Sequence, residues 1–295
     1  MQKHTSFNDS PGCFFASRVG VLATKHQKER VIAPIMEREL NVRIIVPADF
    51  DTDVFGTFTR EVKRTGTQIE AARLKAKKAL EITGETLAIA SEGTFGPHPV
   101  FPYIPHNLEI VLLLDTENNI EIIGEEFSTE TNYSHELVKS VEEGFNFAKK
   151  VGFPEHGIVV IIGEPEEGKG EIIKGIVREE KLFEVLEYAL KKSPDGRVHI
   201  ETDMRAMYNP TRMKNIEKAT LDLIKKINQI CPQCGCPGFD VVERKKGLPC
   251  ALCHLPTQLT RSLVYKCKKC GFSKEELFPD GREYAEPAQC HYCNP

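Results

Sequence analysis

No apolar run in these 295 residues approaches the roughly 20 that span a bilayer, which argues against a helical membrane protein. The first 15 residues lack the apolar stretch of a signal peptide and read as a flexible tail. Net charge is only −4, so bulk electrostatics make no case for nucleic acid or an anionic membrane. Cysteine is nearly absent from the first 230 residues, where Cys13 stands alone, and that excludes a disulfide-stapled body. The other nine cysteines crowd into the C-terminal region, a metal pattern that points to a reducing, cytoplasmic setting.

What is present predicts an α/β protein: a mixed, twisted sheet flanked by helices over residues 16–228, then a tandem zinc-ribbon region over 229–295. The organising stretch is Gly66 to Gly96. Ile69, Ala72, Ala76, Ala79 and Leu80 recur at helical spacing, Thr83-Gly84 ends the helix, and Leu87 to Ala90 reads as a short buried strand. Ser91-Glu92-Gly93 then falls where that strand is expected to stop, the usual place for a ligand in such a fold. Upstream, the strand Arg18 to Leu22 leads into Ala23-Thr24-Lys25-His26-Gln27-Lys28 and a helix, an arrangement suited to an anion or simply to a solvated turn.

Several motifs fall short of their templates. Asp49, Asp51 and Asp53 are spaced like the start of a calcium loop but lack its glycine and distal glutamate. GEPEEGKG, residues 163–170, lacks the Lys-Ser/Thr ending of a phosphate-binding loop. A helix is expected over Ser134 to Val151, and another over Glu179 to Lys192 with Phe183 inward. On the strand Arg197 to Met204, His199, Glu201 and Asp203 alternate onto one face, with Arg205 and Arg212 following and Asn209-Pro210 starting a helix. That row is either a proton-handling or metal-binding site for an anionic substrate or the exposed side of an edge strand.

Eight cysteines form four C-x-x-C pairs: Cys231/Cys234, Cys250/Cys253, Cys267/Cys270 and Cys290/Cys293. Spacers of 15 and 19 residues within consecutive pairs, and a glycine after the first and third pairs, predict two sequential ribbons. Four thiolates per site suit zinc, two structural ions in all, with iron as the competitor. From Cys231 onward, 9 Lys/Arg stand against 7 Asp/Glu. Eight thiolates around two divalent ions reverse that surplus, so the ribbons carry no basic footprint. Lys266, Lys268 and Lys269 form only a small patch, leaving a protein or RNA partner open.

SEGTFGPHP, HIETDMRA with NPTRM, and the paired cysteines together resemble a prokaryotic family of unknown function over nearly the full length. The first third also resembles the inosine/xanthosine triphosphate pyrophosphatase superfamily. Ala23-Thr24 matches its first strand end, Gly66-Thr67 and Glu70-Ala71-Ala72-Arg73-Leu74-Lys75-Ala76 its helix, and Ser91-Glu92-Gly93 its acidic turn. His26 and Ala71 stand where those proteins carry asparagine, and one acidic residue stands at the turn where many have two. The resemblance implies a Mg²⁺-dependent hydrolase of a small nucleotide. Glu70 and Glu92 would hold the metal, Lys25, Lys28 and Lys75 the phosphates, and Thr24 would assist. The other readings are an enzyme centred on His199, Glu201 and Asp203, with Arg205 and Arg212 binding its substrate, and a non-enzymatic zinc adaptor.

Overall fold

The computed structural model describes residues 14–48, 50, 66–163 and 170–295. Residues 1–13 of the expected tail, Asp49, Asp51, Asp53 and most of GEPEEGKG lie outside them, while Phe15, counted in that tail, is fully buried. The chain divides into two compact units, Phe15–Ile224 and Lys225–Pro295 with Met1–Phe14. The first unit is α/β with helix-flanked twisted sheets, but it holds two sheets where one was expected.

The first sheet runs in the order β2 (Arg43–Ile45), β1 (Val19–Ala23), β3 (Leu87–Pro97), β4 (Pro105–Asp115), β5 (Ile120–Ser128). β1 is parallel to both its neighbours, and β3, β4 and β5 form an antiparallel meander. Helix α1 (Glu29–Leu40) joins β1 to β2, and α2 (Gln68–Thr83) leads back across β1 to β3. Crossovers that step in opposite directions, both right-handed, place these helices on opposite faces of the sheet. The chain thus switches direction between β1 and β3.

Helix α2 starts at a capping box: the Thr67 hydroxyl accepts from Glu70 N, and the Glu70 carboxylate accepts from Thr67 N. It ends at Gly84 in the left-handed conformation, φ 73°. Its buried residues are Ala71, Ala72, Lys75, Ala76, Ala79 and Leu80, of which Ala72, Ala76, Ala79 and Leu80 share a core with Val21, Ala23, Ala88, Ala90, Ile110 and Leu112. Ile69, expected on that stripe, is 39% exposed, and Lys75 takes a buried place instead. Small alanine side chains let the helix lie close to the sheet, which draws the lysine stem inward.

β3 does not stop at Ala90. It continues to Pro97 because β4 pairs with it in unbroken register, from Leu87↔Asp115 to Pro97↔Pro105. β1 accompanies it only as far as Ala23↔Ala90. Ser91, Glu92 and Gly93 are therefore strand-interior residues with a partner on one side and a vacated neighbour position on the other.

The second sheet is antiparallel, in the order β6 (His135–Val138), β9 (Val198–Thr202), β7 (Ile158–Ile162), β8 (Glu171–Ile176). Its core joins Val138, Ile158, Val160, Val198 and Ile200 to Phe147 of α3 (Val141–Lys150) and Leu182 and Leu186 of α4 (Glu179–Lys192). The helix expected from Ser134 starts only at Val141, where Ser140 accepts from Glu143 N at 3.2 Å; the residues before it are β6. Leu137 pairs opposite His199 and is 53% exposed, and Phe183, predicted inward, is 47% exposed.

Helix α5 (Pro210–Ile227) is started by Asn209, whose side chain accepts from Arg212 N at 2.9 Å. It crosses β5 at Gly124, where an added Cβ would lie 2.3 Å from the Ala219 carbonyl oxygen and from Leu223 N. Both contacts are backbone, so no side chain can swing away. Gly124→Ala should destabilise the protein by about 1–3 kcal/mol or more, read as a lower urea midpoint; an unchanged midpoint would refute this packing.

Candidate functional site

In the C-terminal unit, β10 (Asp240–Lys246), β11 (Thr260–Lys266) and β12 (Ser273–Leu277) form an antiparallel meander. This topology decides which cysteines meet. The first pair precedes β10 and the third lies in the β11–β12 turn, beside the Asp240↔Lys266 and Lys266↔Ser273 ends. The second pair lies between β10 and β11 past Lys246↔Thr260, and the fourth follows β12, which leaves the sheet at the Ser262↔Leu277 end. Odd pairs therefore share one end of the sheet and even pairs the other.

The clusters are Cys231, Cys234, Cys267, Cys270 and Cys250, Cys253, Cys290, Cys293, each with its four ligand atoms within 4.8 Å of one another. The sequential pairing is thereby corrected to an interleaved one. Between knuckles, Sγ···Sγ distances are 3.7 Å for Cys231–Cys270 and 3.6 Å for Cys234–Cys267, and 3.8 Å for Cys250–Cys293 and 3.7 Å for Cys253–Cys290. A tetrahedron with Zn–S of about 2.3 Å has an edge of about 3.8 Å, so each cluster can hold one zinc ion. Each knuckle is closed by the same turn: Gly235 N to Cys231 O, His254 N to Cys250 O, Gly271 N to Cys267 O and Asn294 N to Cys290 O. The glycine-ended knuckles share one cluster, so the glycine pattern marked partners rather than ribbon starts. Cys236 is buried outside both clusters, and burial pushes its thiol up to about 11.

In the first unit, the vacated position beside β3 collects buried polar groups. Lys28, just ahead of α1, is buried and donates to Ser91 O at 2.9 Å and to Ser91 Oγ at 3.3 Å. Lys75 of α2 forms an ion pair with Glu92, both side chains 9% exposed. Gln68 donates to Glu92 O at 2.8 Å and Leu108 O at 2.9 Å. Thr24, one residue past Ala23, is buried, and its hydroxyl has no hydrogen-bond partner among the described residues. Behind Gly93 lies a second ion pair, Arg212 Nε to Glu109 Oε1 at 2.8 Å, exposed by 1% and 0%. A Cβ at Gly93 would sit 2.4 Å from Glu109 Oε1 and 2.7 Å from Arg212 Nη2, so only glycine admits that pair under the strand.

Burial drives the Lys28 amine down to about 7, with the Arg212 charge helping and Glu109 and Glu92 opposing. Sequence reasoning named Thr24, Lys28, Lys75 and Glu92, and the structure brings them together beside the upper half of β3. It missed Ser91 as a lysine acceptor, as well as Gln68 and Glu109; the alternation Ser91-x-Gly93 opposite Glu109 was their signal. Lys25 is exposed at the rim, and the Glu70 carboxylate is spent on the capping box, which holds its pKa below the usual range.

The His199 row separates. His199 and Glu201 meet on one face of β9 at 3.2 Å, with the His135 ring stacked on His199 at 5.4 Å. Asp203 lies beyond β9, 2% exposed, where it accepts from Gly175 N and holds Arg205 at 2.6 Å. Arg212 belongs to Glu109. Among the described residues, groups of three or more potential metal ligands occur only at the two cysteine clusters. No helix among the described residues is long and apolar enough to cross a membrane.

A family profile described as domain of unknown function DUF6671 matches residues 75–295. The chain belongs to that family. The matched span of the DUF6671 chain begins at Lys75 and takes in β3, both ion pairs and all eight paired cysteines, while β1 and Lys28 precede it. A search among curated proteins returned no match.

Two experiments test these sites. Cys231→Ser and Cys267→Ser should each remove one zinc per chain, and the double variant no more than one. Cys231→Ser with Cys250→Ser should remove both, and the reverse pattern in metal analysis would restore sequential ribbons. For Lys28 the folded pKa lies below the unfolded value, so the unfolded chain binds more protons between about pH 7 and 10.5 and stability rises with pH across that window. Lys28→Met should therefore be more stable than wild type below pH 7, with the gap closing towards pH 10. A melting-temperature difference constant over that range would show that Lys28 keeps an ordinary pKa.

Proposed function

We propose that the DUF6671 chain is a metal-dependent hydrolase of nucleoside triphosphates, acting at the crevice beside β3, with the cysteine module in a structural role. One observation carries this: Thr24 and Lys28 of the β1–α1 connection, Lys75 of α2 and Glu92 of β3, three separate segments, are buried together past the carboxyl end of β1 at a switch point of the sheet. Open α/β sheets bind ligands at that place. A core does not need two lysines there, since burying each amine costs free energy.

The residues fit a phosphate chain. Lys28 and Lys75 offer cationic donors to phosphate oxygens, and the Thr24 hydroxyl is unused among the described residues. Glu92 offers a hard oxygen, and Mg²⁺ is commonly held by one or two carboxylates together with substrate phosphates. Bound there, such an ion would neutralise charge developing on the leaving phosphate. Glu92 would trade its Lys75 partner for that ion, freeing Lys75 for the phosphate. Glu70, committed to its helix cap, supplies no second carboxylate, so the metal would depend on Glu92 and the substrate itself.

The test is release of pyrophosphate from inosine, xanthosine and the common nucleoside triphosphates with Mg²⁺. Glu92→Gln and Lys75→Met should each lower kcat/KM by about 10²-fold or more, the scale of losing one electrostatic group. No turnover by wild-type protein on any triphosphate would refute the reading.

A further inference from the structure

The two cysteine clusters sit on knuckles of the same construction but display different residues. Between the paired cysteines of the first cluster stand Pro232-Gln233 and Lys268-Lys269; in the second stand Ala251-Leu252 and His291-Tyr292. The knuckle therefore accepts polar residues at its tip, and nothing in its turn requires apolar ones. Yet Leu252 is 68% and Tyr292 57% exposed. Leu255 and Tyr284 join them, half exposed, with His254 edge-on to Tyr284 at 6.1 Å and Ala251 N bonded to Ala285 O.

The charge around this cluster differs as well. Residues 247–259 carry no Asp, Glu, Lys or Arg, and residues 278–295 carry exposed Asp280, Glu283 and Glu286 against Arg282 alone. Four thiolates around one divalent ion add two more negative charges. Lys246, which donates to Gln258 at 3.2 Å, adds one positive charge here, and Asp280, Glu283, Glu286 and the thiolates still leave this end net acidic with apolar tips, whereas the first cluster is flanked by Lys266, Lys268 and Lys269. An acidic surface repels phosphate backbones, so nucleic acid does not fit it. Side chains fixed on closed knuckles are preorganised, which lowers the entropy cost of binding.

We infer that the knuckles of the second cluster form a docking surface for a protein segment that pairs apolar side chains with Lys or Arg. Leu252, Leu255, Tyr284 and Tyr292 supply the apolar contact, and Asp280, Glu283 and Glu286 select the basic partner. This is independent of the hydrolase reading.

The test uses the full, metal-loaded chain and fluorescence anisotropy of three labelled probes: a 12-residue peptide of alternating Leu and Lys, its Glu-for-Lys counterpart, and a 12-nucleotide single-stranded RNA. The basic peptide should bind saturably and the other two should not. Leu252→Ser with Tyr292→Ser, at unchanged metal content, should weaken that binding at least about tenfold, as losing anchor residues does. Glu283→Gln with Glu286→Gln should weaken it and flatten its salt dependence. No saturable binding, binding untouched by either double variant, or RNA binding that Leu252→Ser with Tyr292→Ser abolishes would each overturn the inference.

Discussion

The body of this protein is tied together by one buried ion pair. Arg212, at the start of α5, reaches Glu109 in the middle of β4, also bonds the Met204 carbonyl oxygen, and lies over the Phe95 ring at 5.3 Å. Asn107 donates to the same Glu109 oxygen that Arg212 Nε reaches, and Asn215 donates to Asn107. These contacts join the segment after β9 to the first sheet. Two charges out of water need such a shell, because removing either partner leaves the other unpaired at a cost of about 3–5 kcal/mol. The pair explains the local sequence: Gly93 leaves room above it, Asn209 caps the helix that carries it, Asn107 adds a second donor to Glu109 Oε1, and Asn215 holds Asn107 in place. It also sets the field felt by Lys28, whose amine the Arg212 charge helps to depress.

The C-terminal unit depends on topology. Its meander has charged, exposed faces, and β12 is exposed throughout, so little apolar burial holds it together. A structural zinc contributes on the order of 10 kcal/mol or more to folding in such small units. Because the pairing is interleaved, each cluster clamps segments far apart in sequence, and each metal site would brace one end of the same sheet. Sequential ribbons would have been two separable pieces; interleaved ones are a single cooperative unit.

Helices and parallel strands were legible in the sequence because their apolar residues recur with the right period and their ends carry caps. The Ala72–Leu80 stripe, the Thr83-Gly84 stop and the Asn209 start all rest on local chemistry. What was not legible depends on partners distant in sequence. β3 runs past Ala90 only because β4 pairs with it, and residues 135–138 form a strand because β9 offers an edge. β10, β11 and β12 escaped notice since a metal-braced sheet needs no buried alternation. Cysteine pairing follows from those strands, so spacing alone chose wrongly. At the candidate site the residue types were readable from Thr24, Lys28, Lys75 and Glu92, and the capping duty of Glu70 was written locally in Thr67-x-x-Glu70, whereas the division of Asp203 and Arg212 to other duties needed the fold.

One group of buried charges in the body surrounds the end of β1. Among the described residues, Lys28, Lys75 and Arg212 stand against Glu92 and Glu109 around the vacated end of β1, an excess of one positive charge when Lys28 is protonated. Burial opposes that excess by lowering the Lys28 pKa towards neutrality. A core that only needed filling would carry apolar residues in this position, as β3 does from Leu87 to Ala90. An anion entering beside Ser91 would hold the proton on Lys28 and supply Lys75 with a second acceptor. Such an excess is what the proposed anionic substrate would offset, and the polar run Ser91-Glu92-Gly93 marks where the apolar part of β3 ends.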